Sequence, residues 1–233
     1  MSVISIISEL IFPTPKICPL CYTKLEKLEI CTTCNDKLQY MKVQAGQCLR
    51  CGTFGIQGNI CDNCRSWPQY IHFNVAAVPY EKEYREILHL LKFKKQGWII
   101  PALIQLMKNS LPQENYDLVI PVPLHKNRLN QRGFNQSALL AQALAKELKI
   151  KYMDKVLLRK IDTPHQTSLP RSKRHTNLIN AFTVSNEKII KNKSILLVDD
   201  VITSGATLWE CAKTLHKAGA KKIYCTTFAA GIV

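Results

Sequence analysis

From about residue 71 onward, apolar and polar positions alternate between short runs and helical stripes. FNVAAVPY (73–80) reads as a strand, and the next stretch (81–95) as a helix with Tyr84, Ile87, Leu88 and Leu91 at helical spacing. Residues 99–111 make a second helix, with Pro101 tolerated in its first turn. YDLVIPVPL (116–124) reads as a strand ending in prolines, SALLAQALAKEL (137–148) as a helix and KVLLRK (155–160) as a strand. Residues 161–180 are polar and basic without a clean period. AFTV (181–184) and SILLVDD (194–200) read as strands, 208–217 as a helix closing on Gly219, and KIYCTTFAA (222–230) as a last strand. Apolar strands separated by helices predict an α/β fold, a mainly parallel sheet flanked by helices.

The first 70 residues follow another pattern. Eight of the ten cysteines form four CxxC pairs: Cys18/Cys21, Cys31/Cys34, Cys48/Cys51 and Cys61/Cys64. The spacing C-x2-C-x9-C-x2-C occurs twice. A tetrahedral zinc ion needs four thiolates; one CxxC turn supplies two, and a second closes the shell. Disulfides lack a secretion signal to support them, and a redox dithiol normally occurs once. The equal spacings suggest two sequential sites, Cys18/21/31/34 and Cys48/51/61/64, although interleaved pairing fits the counts as well. Four-thiolate sites are closed, so the zinc is expected to be structural. Cys211 and Cys225 fall in a predicted helix and strand and read as core. The expected division is a small N-terminal zinc-binding module, 1–70, followed by an α/β domain, 71–233, with the boundary near Trp67-Pro68. The opening MSVISIISELIFPTP is too short to span a membrane and carries Glu9, so a short amphipathic helix is expected there, with no membrane insertion and a cytoplasmic location.

Charge sharpens this division. The chain of 233 residues carries a formal net charge of +15. Residues 1–70 contribute +2, from 7 basic and 5 acidic residues, and residues 71–233 contribute +13. The excess suits phosphorylated small molecules or nucleic acid, and equally a solvated basic surface.

Candidate chemistry concentrates in SILLVDDVITSGATL (194–208). A buried strand stops on Asp199 and Asp200 where a parallel sheet opens to solvent, the usual ligand edge of such sheets. Carboxylates accept from hydroxyls. The loop that follows, Thr203, Ser204, Gly205, Ala206 and Thr207, offers N–H and hydroxyl donors at a helix start, a phosphate cradle. Together they suit a diol beside a phosphate, as in a ribose 5-phosphate.

VDDVITSGATL resembles the motif of type I phosphoribosyltransferases that binds 5-phosphoribosyl 1-pyrophosphate (PRPP). The CxxC array, KF (92–93), RGFNQ (132–136), the pattern Gln166, Arg174, Asn177, Ala181-Phe182 and the PRPP motif occur in the order seen in the ComF/GntX family, across essentially the whole chain. That resemblance implies a type I phosphoribosyltransferase fold behind zinc knuckles, an association with competence and DNA uptake, and PRPP bound with Mg²⁺. By match, Asp199 and Asp200 hold the ribose hydroxyls and assist catalysis, and residues 203–207 hold the 5′-phosphate. His125, Lys126, Arg128 and Arg132 lie in the loop that contacts pyrophosphate in the family, and Arg171, Lys173, Arg174 and His175 in a hood or nucleic-acid contact. Two functions remain open at this level. One is a phosphoribosyltransferase with an unidentified acceptor. The other is a PRPP-sensing accessory factor that binds single-stranded DNA or a DNA-uptake protein. A zinc redox protein would leave the C-terminal motif unused.

Overall fold

The structure, a computed structural model, describes residues 16–27, 29–65, 67–93, 97–163 and 177–232. The expected N-terminal helix and the basic residues Arg171, Lys173, Arg174 and His175 lie outside the described residues. Helix α1 (Thr32–Ala45) precedes strand β1 (Ile71–Pro79), helices α2 (Lys82–Phe93) and α3 (Ile100–Ser110), and strand β2 (Leu118–Pro121). Next come α4 (Lys126–Arg132), α5 (Gln136–Leu148), β3 (Lys151–Tyr152), β4 (Leu157–Arg159) and β5 (Phe182–Val184). The chain ends with α6 (Glu187–Ile190), β6 (Ser194–Ile202), α7 (Ala206–Lys217) and β7 (Lys222–Ala230).

Five strands form one parallel sheet in the order β1-β7-β6-β2-β3. The predicted strands around 155–160 and 181–184 exist but stand apart, pairing antiparallel as a separate two-stranded ribbon, β4-β5. Strand β6 also differs from expectation. It does not stop at the acid pair; pairing with β7 continues through Val201–Ala229 and Ile202–Ala230.

Alternation along β6 divides the interior into two cores. Ile195 and Leu197 join a core with Leu208, Cys211 and Leu215 of α7 and with Leu157 and Phe182 of the ribbon. Leu196 and Val198 join the opposite core, with Leu88, Leu103 and Leu144 of α2, α3 and α5. Both extra cysteines, Cys211 and Cys225, are fully buried, as expected of core residues.

Each core also takes in cysteines of one group. Cys18 packs with Ile30 and Leu38 in the α2–α3–α5 core, and Cys48, Cys51, Cys61 and Cys64 lie in the α7 core. At the start of the second group the chain runs along the outer edge of β1. There Asn74 N–H donates to Arg50 O at 2.7 Å, and Gln47 Nε2 donates to Ala76 O at 3.0 Å. Gly52 lies so close that a Cβ would meet Ala76 N at 2.7 Å, and its φ of +74° already favours glycine. The cysteine region thus covers an edge strand that would otherwise present unpaired backbone. Among the described residues no helix is long and apolar enough to cross a membrane.

In each cysteine group the four sulfur atoms lie within 4.8 Å of one another, and the groups are the sequential ones, Cys18/21/31/34 and Cys48/51/61/64. Both could hold zinc. The local turns repeat: Cys18 N–H donates to Thr23 O and Cys48 N–H to Thr53 O, each at 2.9 Å. Sγ of Cys21 and of Cys51 each lies 3.2 Å from the following threonine hydroxyl, Thr23 or Thr53. Thr23 pulls Cys21 down to about 6. Hydrogen bonding with Cys64 pulls Cys51 down to about 5, while the same bond pushes Cys64 up. Crowded thiols cannot all ionise without a cation, and zinc removes that conflict. Chelation is therefore expected to release two zinc ions per chain and, because both groups are built into the cores, to lower the melting temperature of the whole chain. An unchanged melting temperature in metal-free protein would contradict this.

Candidate active site

The strand order creates the site. From β2 the chain moves to its neighbour β3, and from β6 it moves to its neighbour β7 on the other side. The crevice between β2 and β6 is therefore a topological switch point, where ligands of open parallel sheets bind beyond the strand ends.

Asp199 and Asp200 sit at that end of β6 and are 9% and 6% exposed. They are buried carboxylates rather than groups at an open edge, so their partners matter. Helix α5 supplies them. Its N-cap Asn135 accepts from Ser137 N–H at 3.1 Å and donates through Nδ2 to Val122 O at 3.0 Å, which fixes the helix start beside β2. Ser137 Oγ then donates to Asp199 Oδ1 at 2.7 Å, and Asp200 N–H donates to the same oxygen at 2.9 Å. Gln136 Nε2 lies 3.5 Å from Asp200 Oδ2, at the outer limit of a hydrogen bond. Gln136 and Ser137 are site residues that sequence reasoning missed. Gln136 closes the RGFNQ motif without having been assigned to the site, and Ser137 follows it as a polar residue at the start of an apolar helix.

Burial first, and then the neighbouring Asp200 carboxylate, push Asp199 up from 3.8 to about 8, against the pull of the Ser137 and Asp200 hydrogen bonds. The free protein thus holds Asp199 largely protonated at neutral pH.

The loop after β6 turns through Gly205, at φ +78°, into α7. Gly205 occupies the N-cap and offers no side-chain cap. Ala206 N–H reaches Ser204 Oγ only at 3.5 Å. Thr203 is exposed and Ser204 and Thr207 are half-buried, in the loop that joins the end of β6 to the start of α7.

The segment 125–132, expected as a loop, is a helix. His125 is 5% exposed and serves as its N-cap, Nδ1 accepting from Asn127 N–H at 3.3 Å. The same nitrogen lies 3.4 Å from Asp162 Oδ1. An accepting nitrogen carries no proton, so the cap belongs to the neutral ring, and an ion pair with Asp162 forms only in the protonated one. Lys126 is exposed. Arg128 Nη2 donates to Thr163 O at 2.9 Å, and burial lowers its pKa. Arg132 Nη1 donates to Gln136 Oε1 at 2.8 Å, which links α4 through Gln136 to the acid pair. Arg159, also absent from the sequence reasoning, bonds to Thr163 Oγ1 and stands over the Phe182 ring.

Switch-point crevice, acid pair and donor loop define a protein of the phosphoribosyl transferase class, and residues 135–232 match the phosphoribosyl transferase domain. Three relatives narrow this. Competence protein F of Haemophilus influenzae is 30% identical over 215 residues, 89% of this chain and 87% of that one. DNA utilization protein YhgH of Escherichia coli is 30% identical over 219 residues, 90% of this chain and 94% of that one. Competence protein ComFC of Bacillus subtilis is 26% identical over 200 residues, 82% of this chain and 79% of that one. The chain belongs to the ComF family of phosphoribosyltransferase-like proteins. A crystal structure of purine phosphoribosyltransferase from Pyrococcus horikoshii overlaps 58% of this chain and 87% of that one at 18% identity and a TM-score of 0.36, too partial to add to the sequence match.

Asp199 gives a pH signature. Between its unfolded value near 3.8 and its folded value near 8, the native state keeps a proton that the unfolded chain has lost, so stability falls as pH rises. Asp199→Asn cannot ionise. Its stability relative to wild type is expected to climb from pH 4 to pH 8 by several kcal/mol, because each tenfold difference in proton affinity between the folded and unfolded chain contributes ~1.4 kcal/mol. Denaturant unfolding at stepped pH measures it; a constant difference across that range would contradict the buried, protonated state.

Proposed function

We propose that this protein binds PRPP in the β2–β6 crevice and transfers its phosphoribosyl group to an acceptor the sequence does not name. The observation that carries this reading is the continuous path from a buried acid pair on β6 into a glycine-capped helix start. Asp199 and Asp200 take the ribose 2′ and 3′ hydroxyls. With one Asp199 oxygen already occupied by Ser137 and the Asp200 amide, its other oxygen is the one that meets the ribose. Residues 203–207 receive the 5′-phosphate. Lys126, Arg128 and Arg132 receive the pyrophosphate, and His125 serves them by capping the helix that carries them. Mg²⁺ accompanying PRPP supplies further neutralisation of the pyrophosphate charge.

In such a transfer, pyrophosphate departs from ribose C1 and leaves an oxocarbenium-like centre. The residues position the two ends and stabilise opposite charges: cationic side chains at the leaving group, carboxylates near the ribose. The positive charge that develops at ribose C1 favours the ionised form of Asp199, opposing the burial that raises its pKa in the free protein.

The wider reading follows the relatives' names, competence protein and DNA utilization protein. We place the protein in DNA uptake, in the cytoplasm, with single-stranded DNA or an uptake protein as a partner. The net charge of +15 favours such a partner. We further propose residues 1–70 as the zinc-binding module and 71–233 as the phosphoribosyltransferase-like domain.

Pyrophosphate release from PRPP with Mg²⁺ tests the activity, with pooled bases, nucleosides and single-stranded DNA offered as acceptors. Acceptor-dependent release is expected, falling by about a hundredfold or more in Asp199→Ala. PRPP binding without release in every pool would contradict transfer and leave a PRPP-sensing accessory factor. Binding retained by the double variant Asp199→Ala, Asp200→Ala would contradict the placement of the site.

A further inference from the structure

We infer that the second cysteine group sets the shape of the phosphate loop, with Trp67 and Trp209 as the positioning residues between them. The inference rests on the reading of residues 203–207 as the 5′-phosphate cradle.

The chain of contacts is short. Cys64 O accepts Trp67 N–H at 3.1 Å, so the turn that carries the last sulfur of the group leads directly into Trp67. Trp67 is 4% exposed, and its Nε1 donates to Ile71 O at 3.2 Å, at the start of β1. It is thus fixed both to the cysteine turn and to the sheet. The rings of Trp67 and Trp209 meet edge to face, with centroids 5.5 Å apart and planes at 88°. Trp209 lies in the first turn of α7, and its indole covers Gly205: a Cβ on that glycine would come within 2.9 Å of Trp209 Nε1. The loop is therefore shaped against the indole, and the indole against Trp67.

A second contact grips the same helix. Tyr70 stacks on His216 at 5.1 Å with planes 14° apart. Residues 209 and 216 are seven apart, which returns them to nearly the same face of α7 two turns later. One stretch, 67–70, thereby holds the start and the end of the helix whose N-terminus receives the phosphate. Ordinary core packing accounts for the burial of Trp67. It does not account for a ring stack that ends on the one loop residue with a left-handed backbone and no side chain. The first cysteine group lies in the opposite core, beside α3, where Ile30 N–H donates to Gln105 Oε1 at 2.9 Å. The two groups therefore differ in role: the first anchors α3, the second braces the phosphate loop.

The test uses the full chain and ribose 5-phosphate as probe, with calorimetry for affinity and backbone hydrogen exchange for the loop. Trp67→Ala is expected to weaken ribose 5-phosphate binding about tenfold, the scale of a lost aromatic pair, and to speed exchange across 203–209. Its zinc content and the exchange of α5 should match wild type, and Trp67→Phe should recover most of the affinity. If Trp67→Ala fails to fold, Trp209→Phe carries the same expectation at smaller size. Affinity within about twofold of wild type with unchanged loop exchange would overturn the brace. So would loss of zinc in the variant, or a failure of Trp67→Phe to recover binding, because either marks a general structural role. A wild-type protein that does not bind ribose 5-phosphate would overturn the phosphate-loop reading itself, and the brace with it.

Discussion

A carboxylate placed inside a protein must be hydrogen-bonded, paired with a cation, or protonated. Asp199 imposes that constraint on everything around the crevice. Its strand lies between β2 and β7, so the carboxyl reaches the site from within the sheet and not from a flexible loop. Helix α5 must start where Ser137 can reach it, and Asn135 fixes that start by bonding to Val122, just after β2, and capping the helix. Gln136, the next residue, then lies between Arg132 of α4 and Asp200. Three elements of separate origin are thus tied to one buried acid pair. A site built this way is preorganised: its polar groups are oriented by the fold itself.

The cysteine groups solve a different problem. A five-stranded sheet with β1 at its margin leaves a row of backbone groups unpaired. The small N-terminal region cannot bury enough apolar surface to stand firmly alone, but metal-closed turns can hold a short chain against that margin. Arg50, Gln47 and Gly52 touch β1 there, and Phe54 N–H donates to Gly231 O after the last strand. The second sulfur group, the edge contacts and part of the core consequently fall within one short segment, residues 47–64.

Much of this was legible in the sequence. Four CxxC pairs at equal spacing give the two sulfur groups because each turn contributes adjacent ligands, and the structure resolves the pairing as sequential. The strands β1, β6 and β7 were legible because both faces are apolar, and α5 because its period is regular. The pairing of the two short strands, and the short helix α4, were not. The ribbon β4-β5 consists of three-residue strands from distant parts of the chain, whose pairing no local pattern encodes. Helix α4 has no buried residue and hence no apolar stripe; its cap and the left-handed Gly133 after it define it. In sequence the acid pair reads as the end of a strand because charge normally marks a boundary, yet β6 continues because Ser137 and neighbouring amides satisfy the carboxyls. Ser137, Trp67 and Trp209 act through tertiary contacts, which composition and spacing do not reveal.

The most direct measurement of the central claim is a crystal structure of the protein with PRPP and Mg²⁺. The account predicts the 5′-phosphate against the amides of 203–207, the ribose diol at Asp199 and Asp200, and pyrophosphate toward α4. PRPP bound away from the β2–β6 crevice, or held there with its phosphate turned from the Gly205 loop, would contradict it.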